Sequence, residues 1–489
     1  MSSRTSCFAL LFAFVGVLEW SGTRLVTGSP PDKQKARLEL GKELFSHEWT
    51  VGDRRSHHGD GLGPVYNAQS CAACHRMGRT GGAGTRETDV SLVTVFVSEK
   101  INGALAGILA EHPLPIADGS NRAVIKRGKE KIELAIPDRD KLAAIHPALL
   151  SQASFPLHRF GAGSEFREWK AGIFPNGDTE IDKQHSNRRH TRNIDHSFVT
   201  LVESKRNTPA LFGAGLIDAI PQQVLADVAA EQAKAAGRPP ARRLVAGDDE
   251  SPLPVKGRTA RLKDGRIGRF GWKGNVASLR DFTLQACSSE LGLEVPGFAK
   301  ATPPWKKNYK APGLDLTGDQ CDALTLFVAA LPKPQVRRPD SPQQALEIEH
   351  GRKLFASIGC ADCHRPKLGE VDGIYSDLLL HDMGGELSGS GSYAVFEPEI
   401  ASQDDANPKS QARISRAANE REWRTPPLWG LRDSAPYLHD GRADTVADAV
   451  ALHGGEGLTA SQAFRRLSPR EREQVELFLQ SLVAPPSGL

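Results

Sequence analysis

The chain lacks an excess of charge of either sign. Across 489 residues, 62 Lys and Arg oppose 59 Asp and Glu, a formal net charge of +3. Proteins that grip phosphate backbones concentrate cations, so this balance argues against a nucleic-acid partner. It also offers no strong electrostatic clue to any other partner. Long apolar runs are missing too. The run from Cys7 to Leu18 covers 12 residues, too few to span a bilayer comfortably and about right for the core of a secretory signal. Arg4 precedes the run, and a polar stretch rich in Gly and Ser follows it. Residues 1–28 are therefore expected to be a signal peptide, cleaved between about Ser21 and Ser29, with an uncleaved N-terminal anchor as the alternative. On either reading the body of the protein is periplasmic or otherwise exported, with no transmembrane span beyond that anchor. With 39% hydrophobic and 25% charged residues, the chain is not of disordered composition. Its 47 Gly and 32 Pro imply a loop-rich fold of short elements rather than a long coiled coil or collagen. Its length is ample for a buried core without staples.

Cysteine is informative. Apart from Cys7, six remain, and four of them fall into two identical patterns, Cys71-Ala-Ala-Cys74-His75 and Cys360-Ala-Asp-Cys363-His364. C-x-x-C-H is the attachment signature of c-type haem. Two thiols on one turn reach the two vinyl groups of the porphyrin, and the adjoining imidazole becomes the proximal iron ligand. A zinc ribbon would place its two pairs about 15–20 residues apart, whereas these lie almost 290 apart. A thioredoxin-like site would not require the histidine, and a disulfide within each pair would leave both histidines unexplained. Two covalently bound haem c groups are therefore expected. Cys287 and Cys321 remain as a pair, and in an exported protein a disulfide between them is the simplest reading.

An internal repeat surrounds the two motifs. Leu40-Gly-Lys-Glu-Leu-Phe45 and His350-Gly-Arg-Lys-Leu-Phe355 share G-x-x-L-F, and Asn207-Thr-Pro-Ala-Leu-Phe-Gly213 aligns with Arg424-Thr-Pro-Pro-Leu-Trp-Gly430. The segments 316–331 and 467–482 align without a gap. Each opens with a capping box, Thr317 with Gln320 and Ser468 with Glu471. Leu324, Phe327 and Leu331, like Val475, Phe478 and Leu482, recur at helical spacing. The expected fold is mainly α, with two c-type cytochrome modules at residues 30–335 and 343–489 joined by a Pro-rich linker. The N-terminal module carries large insertions, since about 130 residues separate His75 from Asn207. The alternation between Asp89 and Val97 reads as a strand, and 131–136 as a second, so the insertion is expected to be a small β-containing element.

Longer strings extend the pattern: Tyr375-Ser-Asp-Leu-Leu-Leu-His-Asp-Met-Gly384, Trp423 to Gly430, Tyr437-Leu-His-Asp-Gly-Arg442 and Ala451-Leu-His-Gly-Gly-Glu456 in the C-terminal part, with Leu211 to Pro221 and Gly268 to Gly274 in the N-terminal part. Together they resemble the dihaem oxidoreductase (putative peroxidase) family, related to bacterial dihaem cytochrome c peroxidases. The resemblance covers about 40–482 and is weakest at 80–200. It implies an oxidoreductase in which the C-terminal haem accepts electrons and the N-terminal haem presents an open iron to hydrogen peroxide. A redox partner protein or another donor would supply the electrons. Rival readings are a high-valent dihaem oxidase of an organic or protein substrate, as in the methylamine-utilisation enzymes, and a non-catalytic electron-transfer cytochrome.

The resemblance also assigns residues. His75 and His364 are the proximal iron ligands. The distal ligand of the C-terminal haem is His453 or Met383; the chain has three methionines, Met1, Met77 and Met383, and Met77 is too close to His75 to cross to the opposite haem face. Methionine ligation would raise the potential of this haem. Glu290 maps to the distal acid–base group of the N-terminal haem, Gln285 to a residue orienting peroxide, and Trp272 to an inter-haem relay or a core tryptophan. Arg424 and Arg442 are candidate partners for haem propionates, with surface salt bridges as the alternative. His381 and His439 are expected to bond propionates or backbone. Any of His47, His57, His58, His112, His146, His158, His185, His190 and His196 could close the N-terminal iron.

Overall fold

A computed structural model describes residues 31–97, 122–127, 130–135, 139–150, 154–175, 179–181, 188–193, 199–237, 253–306, 308–389 and 418–486. The apolar N-terminal run, with its cleavage region, and His112, His185 and His196 lie outside them. Among the described residues no helix is long and apolar enough to cross a membrane.

Helix pairs carry the two main cores, and the repeat read from the sequence is visible in how they cross. Helix Pro31–Ser46 packs against Gly318–Ala330, and helix Pro342–Ser357 against Pro469–Gln480. Both capping boxes form. Thr317 Oγ1 accepts from the Gln320 amide and Gln320 Oε1 from the Thr317 amide; Ser468 and Glu471 reciprocate in the same way. Each satisfies two amide donors that a helix start leaves unpaired. The glycine of G-x-x-L-F explains itself at the crossings. A Cβ on Gly41 would lie 2.0 Å from the Ala323 carbonyl oxygen, and one on Gly351 would lie 1.9 Å from that of Gln474. Both pairs thus approach backbone to backbone, and only glycine leaves room. Four residues on, Phe45 meets Phe327 at 5.2 Å between centroids and Phe355 meets Phe478 at 5.4 Å. These four side chains are buried to 4% exposure or less, each contributing roughly 2–3 kcal/mol of hydrophobic stabilisation.

The inserted region is more extensive than two strands. A five-stranded antiparallel sheet runs in the spatial order Ser154–Leu157, Val90–Val97, Val199–Arg206, Arg188–Asn193, Thr179–Ile181. A separate hairpin pairs Arg122–Arg127 with Glu130–Ala135. Val93, opposite Phe155 in register, joins Leu201, Leu142 and Ile173 in a small core of its own. The sheet is fastened to the body where Val65–Tyr66 pairs with Phe160–Gly161, which fixes Asn67 beside Arg159. The Pro-rich linker is also pinned, because Gln335–Val336 pairs with Leu482–Val483.

Candidate functional site

Both C-x-x-C-H motifs fold as a single tight turn. Cys71–Cys74 is one α-turn capped by Ser70, whose hydroxyl accepts from the Ala73 amide; Cys360–Asp362 is a 3-10 turn entered through Gly359 at φ 98°. In each, the histidine amide donates to the carbonyl of the first cysteine, at 2.9 Å for His75 and 3.0 Å for His364. The turn therefore sets two sulfurs and one imidazole on a common side. His364 Nδ1 is 3.1 Å from the Tyr375 carbonyl oxygen and His75 Nδ1 is 3.3 Å from that of Gly82. A carbonyl on Nδ1 selects the tautomer that leaves Nε2 with its lone pair, the arrangement a metal-bound imidazole needs. Burial pushes both imidazoles down to about 4, so both are neutral at neutral pH. Burial also pushes the thiols up, to about 12 for Cys71 and Cys360 and about 11 for Cys74. Cys287 and Cys321 correct an expectation: they are buried free thiols, not a disulfide. They occupy neighbouring helices in an apolar core, where burial holds each thiol protonated.

The second motif opens onto a largely apolar cavity of about 290 Å³ at the junction of the two halves of the chain. Cys360, Cys363, His364, Met383 and His453 lie on its wall. His453 Nδ1 donates to the Ala449 carbonyl at 2.7 Å, so its Nε2 too is left for a ligand. Met383 converges on the same place: a Cβ on Gly457 would stand 3.3 Å from both the Met383 methyl carbon and His453 Cδ2. His364 on one side and His453 or Met383 on another are thus a donor set suited to a six-coordinate haem iron. Arg424 also lines this cavity. It is buried, gives its Nε–H to the Gly271 carbonyl at 2.8 Å, and makes no ion pair with a carboxylate among the described residues. Burial lowers its guanidinium to about 10, and a propionate would relieve that cost. Arg442 behaves differently. It is clamped by Asp440 and by the Glu386 carbonyl, away from the cavity wall, and this ion pair is buried rather than on the surface. His381 is held by Asp377 at 2.9 Å and Glu456 at 2.6 Å, and His439 stacks on Trp423 at 3.6 Å. Both rings also line the cavity; the carboxylates already engage both nitrogens of His381, while stacking leaves the nitrogens of His439 uncommitted to Trp423.

Around the first motif the supporting groups differ. Glu290 ends helix Leu279–Glu290, and its field raises the pKa values of both Cys71 and Cys74, second to burial in the case of Cys74. Its Oε2 accepts from Asn67 Nδ2 at 2.9 Å. Gln285 lies on the same helix, but five residues correspond to about 140° of rotation, so the two side chains leave the helix in different directions. His158, buried, donates Nε2–H to the Ser289 carbonyl beside Glu290 at 3.1 Å. Other histidines are placed elsewhere: His47 pairs with Asp53, His57 and His58 are exposed, and His146 stacks on Phe155. His190 falls in the sheet, opposite Thr179. Trp272 joins the halves. Its indole N–H donates to the Asn207 carbonyl at 2.9 Å, and its own carbonyl accepts from the Arg424 amide at 2.9 Å. Asn207 and Arg424 are the equivalent first residues of the two T-P-x-L-aromatic-G strings, so Trp272 bridges matching points of the repeat.

Sequence reasoning missed Asn67, Asp377, Glu456 and Lys273. Asn67 has no local signal; Asp377 and Glu456 lie inside or beside recognised strings, but their common partner His381 shows only in space. Lys273 is buried, donates to the carbonyls of Asn419, Glu420 and Glu422, and sits 3.5 Å from the Trp423 ring centroid.

Comparison with known proteins gives the family. Residues 174–482 match the family described as "Di-haem oxidoreductase, putative peroxidase". The cytochrome-c peroxidase IdrP2 of Pseudomonas sp. (strain SCT) is 25% identical over 217 residues, covering 40% of this chain and 55% of that protein. The cytochrome c551 peroxidase of Pseudomonas aeruginosa is 26% identical over 194 residues, 38% of this chain and 48% of that one. Methylamine utilization protein MauG of Methylorubrum extorquens is 28% identical over 150 residues, 29% of this chain and 36% of that one. The matches with the two peroxidases span about half of their length. The family match takes in more than half of the present chain, including the second C-x-x-C-H turn, the Trp272 bridge, Glu290 and the cavity wall from Cys360 to His453, and the chain belongs to the di-haem oxidoreductase, putative peroxidase family.

Proposed function

We propose that the chain is an exported dihaem c-type oxidoreductase that reduces hydrogen peroxide at the N-terminal site with electrons passed through the C-terminal site. The observation that carries this reading is the asymmetry of two otherwise matching motifs. Beside Cys71–His75 stands a carboxylate, Glu290, whereas Cys360–His364 faces a cavity on which a second imidazole, His453, already converges. In this reading the modules span 30–335 and 343–489, the four paired cysteines form thioethers to two haems, and His75 and His364 are the proximal ligands. When bound, the two haems would supply redox-active iron at the two sites.

The chain's own residues supply the rest. Reduction of peroxide to two waters consumes two electrons and two protons. One peroxide oxygen must lose a proton and the other gain one before the O–O bond breaks heterolytically, and a single positioned carboxylate can do both at its Oε atoms. Asn67, bonded to Glu290 Oε2, keeps that carboxylate in place. His453, with Nδ1 fixed on the Ala449 carbonyl, would hold the C-terminal iron through Nε2. Arg424 would balance a haem propionate, and Trp272 bridges matching points of the two halves. A redox partner protein or another donor supplies the electrons.

Low-temperature EPR of the fully ferric holoprotein and of its one-electron-reduced form tests the coordination. A high-spin signal beside a low-spin one is expected in at least one of these states. The Glu290→Gln variant should lower peroxide kcat at least 100-fold, within the usual range for a lost acid–base group. Two low-spin irons in both states, or unchanged turnover in the variant, would refute the reading and favour an electron carrier.

A further inference from the structure

A second cavity, of about 440 Å³, opens where the inserted sheet meets the body of the N-terminal half. Much of its wall precedes residue 174, where the family match begins. Asn67, Asp89, Arg159, Lys170, Glu203 and Lys205 line it. Most of these groups are already engaged. Lys205 Nζ donates to Ser91 Oγ at 2.6 Å and pairs with Glu203 at 2.9 Å, and Lys170 Nζ donates to the carbonyls of His158 and Arg159 at 2.9 and 3.1 Å. Two groups are left over. The Asp89 carboxylate makes no hydrogen bond or ion pair among the described residues, and its Oδ1 is buried. Arg159 spends one N–H on the Asp89 backbone carbonyl at 3.1 Å, which leaves four of its five donors. An orphaned buried acceptor is costly and asks for an explanation. Burial pushes the Asp89 carboxyl up to about 7 despite Lys205, Arg86 and Arg159 nearby, and Asp440 adds to the rise, so it can accept or donate near neutrality.

Asn67, on the cavity wall, ties the cavity to Glu290 through hydrogen bonds. The Arg159 amide donates to Asn67 Oδ1 at 2.9 Å, and Asn67 Nδ2 donates to Glu290 Oε2 at 2.9 Å. We propose that this cavity is an entry site in which hydrogen peroxide is held between the Asp89 carboxyl and the Arg159 guanidinium before it reaches Glu290. The inference rests on the peroxidase reading above. A small O–H donor that is also an acceptor satisfies both unused groups at once. The lining selects neither sign of ion, since Arg86, Arg159, Lys170 and Lys205 are nearly balanced by Glu87, Asp89 and Glu203. It has little apolar wall for a bulky organic reductant.

Asp89→Asn in the holoprotein separates the outcomes, with Glu290→Gln beside it. If Asp89 captures peroxide, kcat/KM for peroxide falls tenfold or more while kcat stays within about twofold, because capture is weakened and chemistry is not. The urea midpoint of unfolding does not fall, because a carboxylate that bonds to nothing in the protein is not holding it together. An unchanged kcat/KM overturns the proposal. So does a lower unfolding midpoint accompanied by loss of both parameters, which would make Asp89 a structural group. Arg159→Gln should reproduce the kinetic effect. Failure of Glu290→Gln to lose kcat would instead refute the peroxidase reading itself.

Discussion

Alanine at position 351 sets two effects of known size against each other. In a helix interior alanine is favoured over glycine by about 1 kcal/mol, so Gly351→Ala should stabilise helix Pro342–Ser357 considered alone. The new Cβ, however, would lie 1.9 Å from the Gln474 carbonyl oxygen and 2.4 Å from its carbon. Both are backbone atoms of the facing helix, with no rotamer by which to retreat, so the helices must separate by more than an ångström. That separation loosens the Phe355–Phe478 contact at 5.4 Å and the Phe355–His364 contact at 6.4 Å. Overpacking costs about 1–3 kcal/mol and sometimes more, and a backbone clash belongs at the upper end. The net expectation is a loss of roughly 2 kcal/mol, a fall in Tm of several degrees. Gly172→Ala is the control, because Gly172 is also helical but nothing lies within 4 Å of its added Cβ. It should gain up to about 1 kcal/mol. Urea unfolding of the holoproteins, followed by circular dichroism, measures both. If Gly351→Ala rises in stability as Gly172→Ala does, the close crossing does not hold and the reason offered for glycine in both G-x-x-L-F strings is wrong.

Other expectations follow from the same contacts. His453→Ala should convert the low-spin ferric EPR signal of the C-terminal site to high spin or to a His/Met signature, while Met383→Leu leaves it unchanged; the reverse pattern would make Met383 the ligand. Alkylation of the unfolded, unreduced holoprotein should label both Cys287 and Cys321, and a peptide mass showing them joined would restore the disulfide. Burial holds folded His158 near 4, against about 6.5 unfolded. Below 6.5 the unfolded chain therefore takes up a proton that the folded chain does not, and stability falls as the pH drops toward 4. Between pH 7 and 5 this amounts to roughly 2 kcal/mol. His158→Gln should lose correspondingly less stability over that interval, and equal acid losses in urea titrations of the two proteins would refute the assignment.

What could be read from the sequence was whatever depends on neighbours along the chain. The C-x-x-C-H turns and the capping boxes are each complete within about six residues, so their geometry follows from local sequence, and the G-x-x-L-F strings are short enough to be recognised as a repeat although the reason for their glycine lies in the facing helix. Strand 90–97 alternates clearly, but Arg188–Asn193, Arg-Arg-His-Thr-Arg-Asn, has no apolar alternation to betray it and exists as a strand because it pairs with Val199–Arg206. The disulfide expectation failed for a related reason. Export describes a compartment, whereas a disulfide needs two sulfurs brought together in the right geometry, and here the helices carry them as separate buried thiols. The groups that distinguish one site from the other are long-range: Asn67 meets Glu290 across 223 positions, and His381 meets Glu456 across 75. A duplicated scaffold by itself makes two equal sites. Their difference must therefore come from residues outside the repeated strings, with Glu290 and Asn67 at one motif and His453 with the His381–Glu456 tie at the other. These are the positions at which substitution should exchange the properties of the two sites rather than simply weaken the fold.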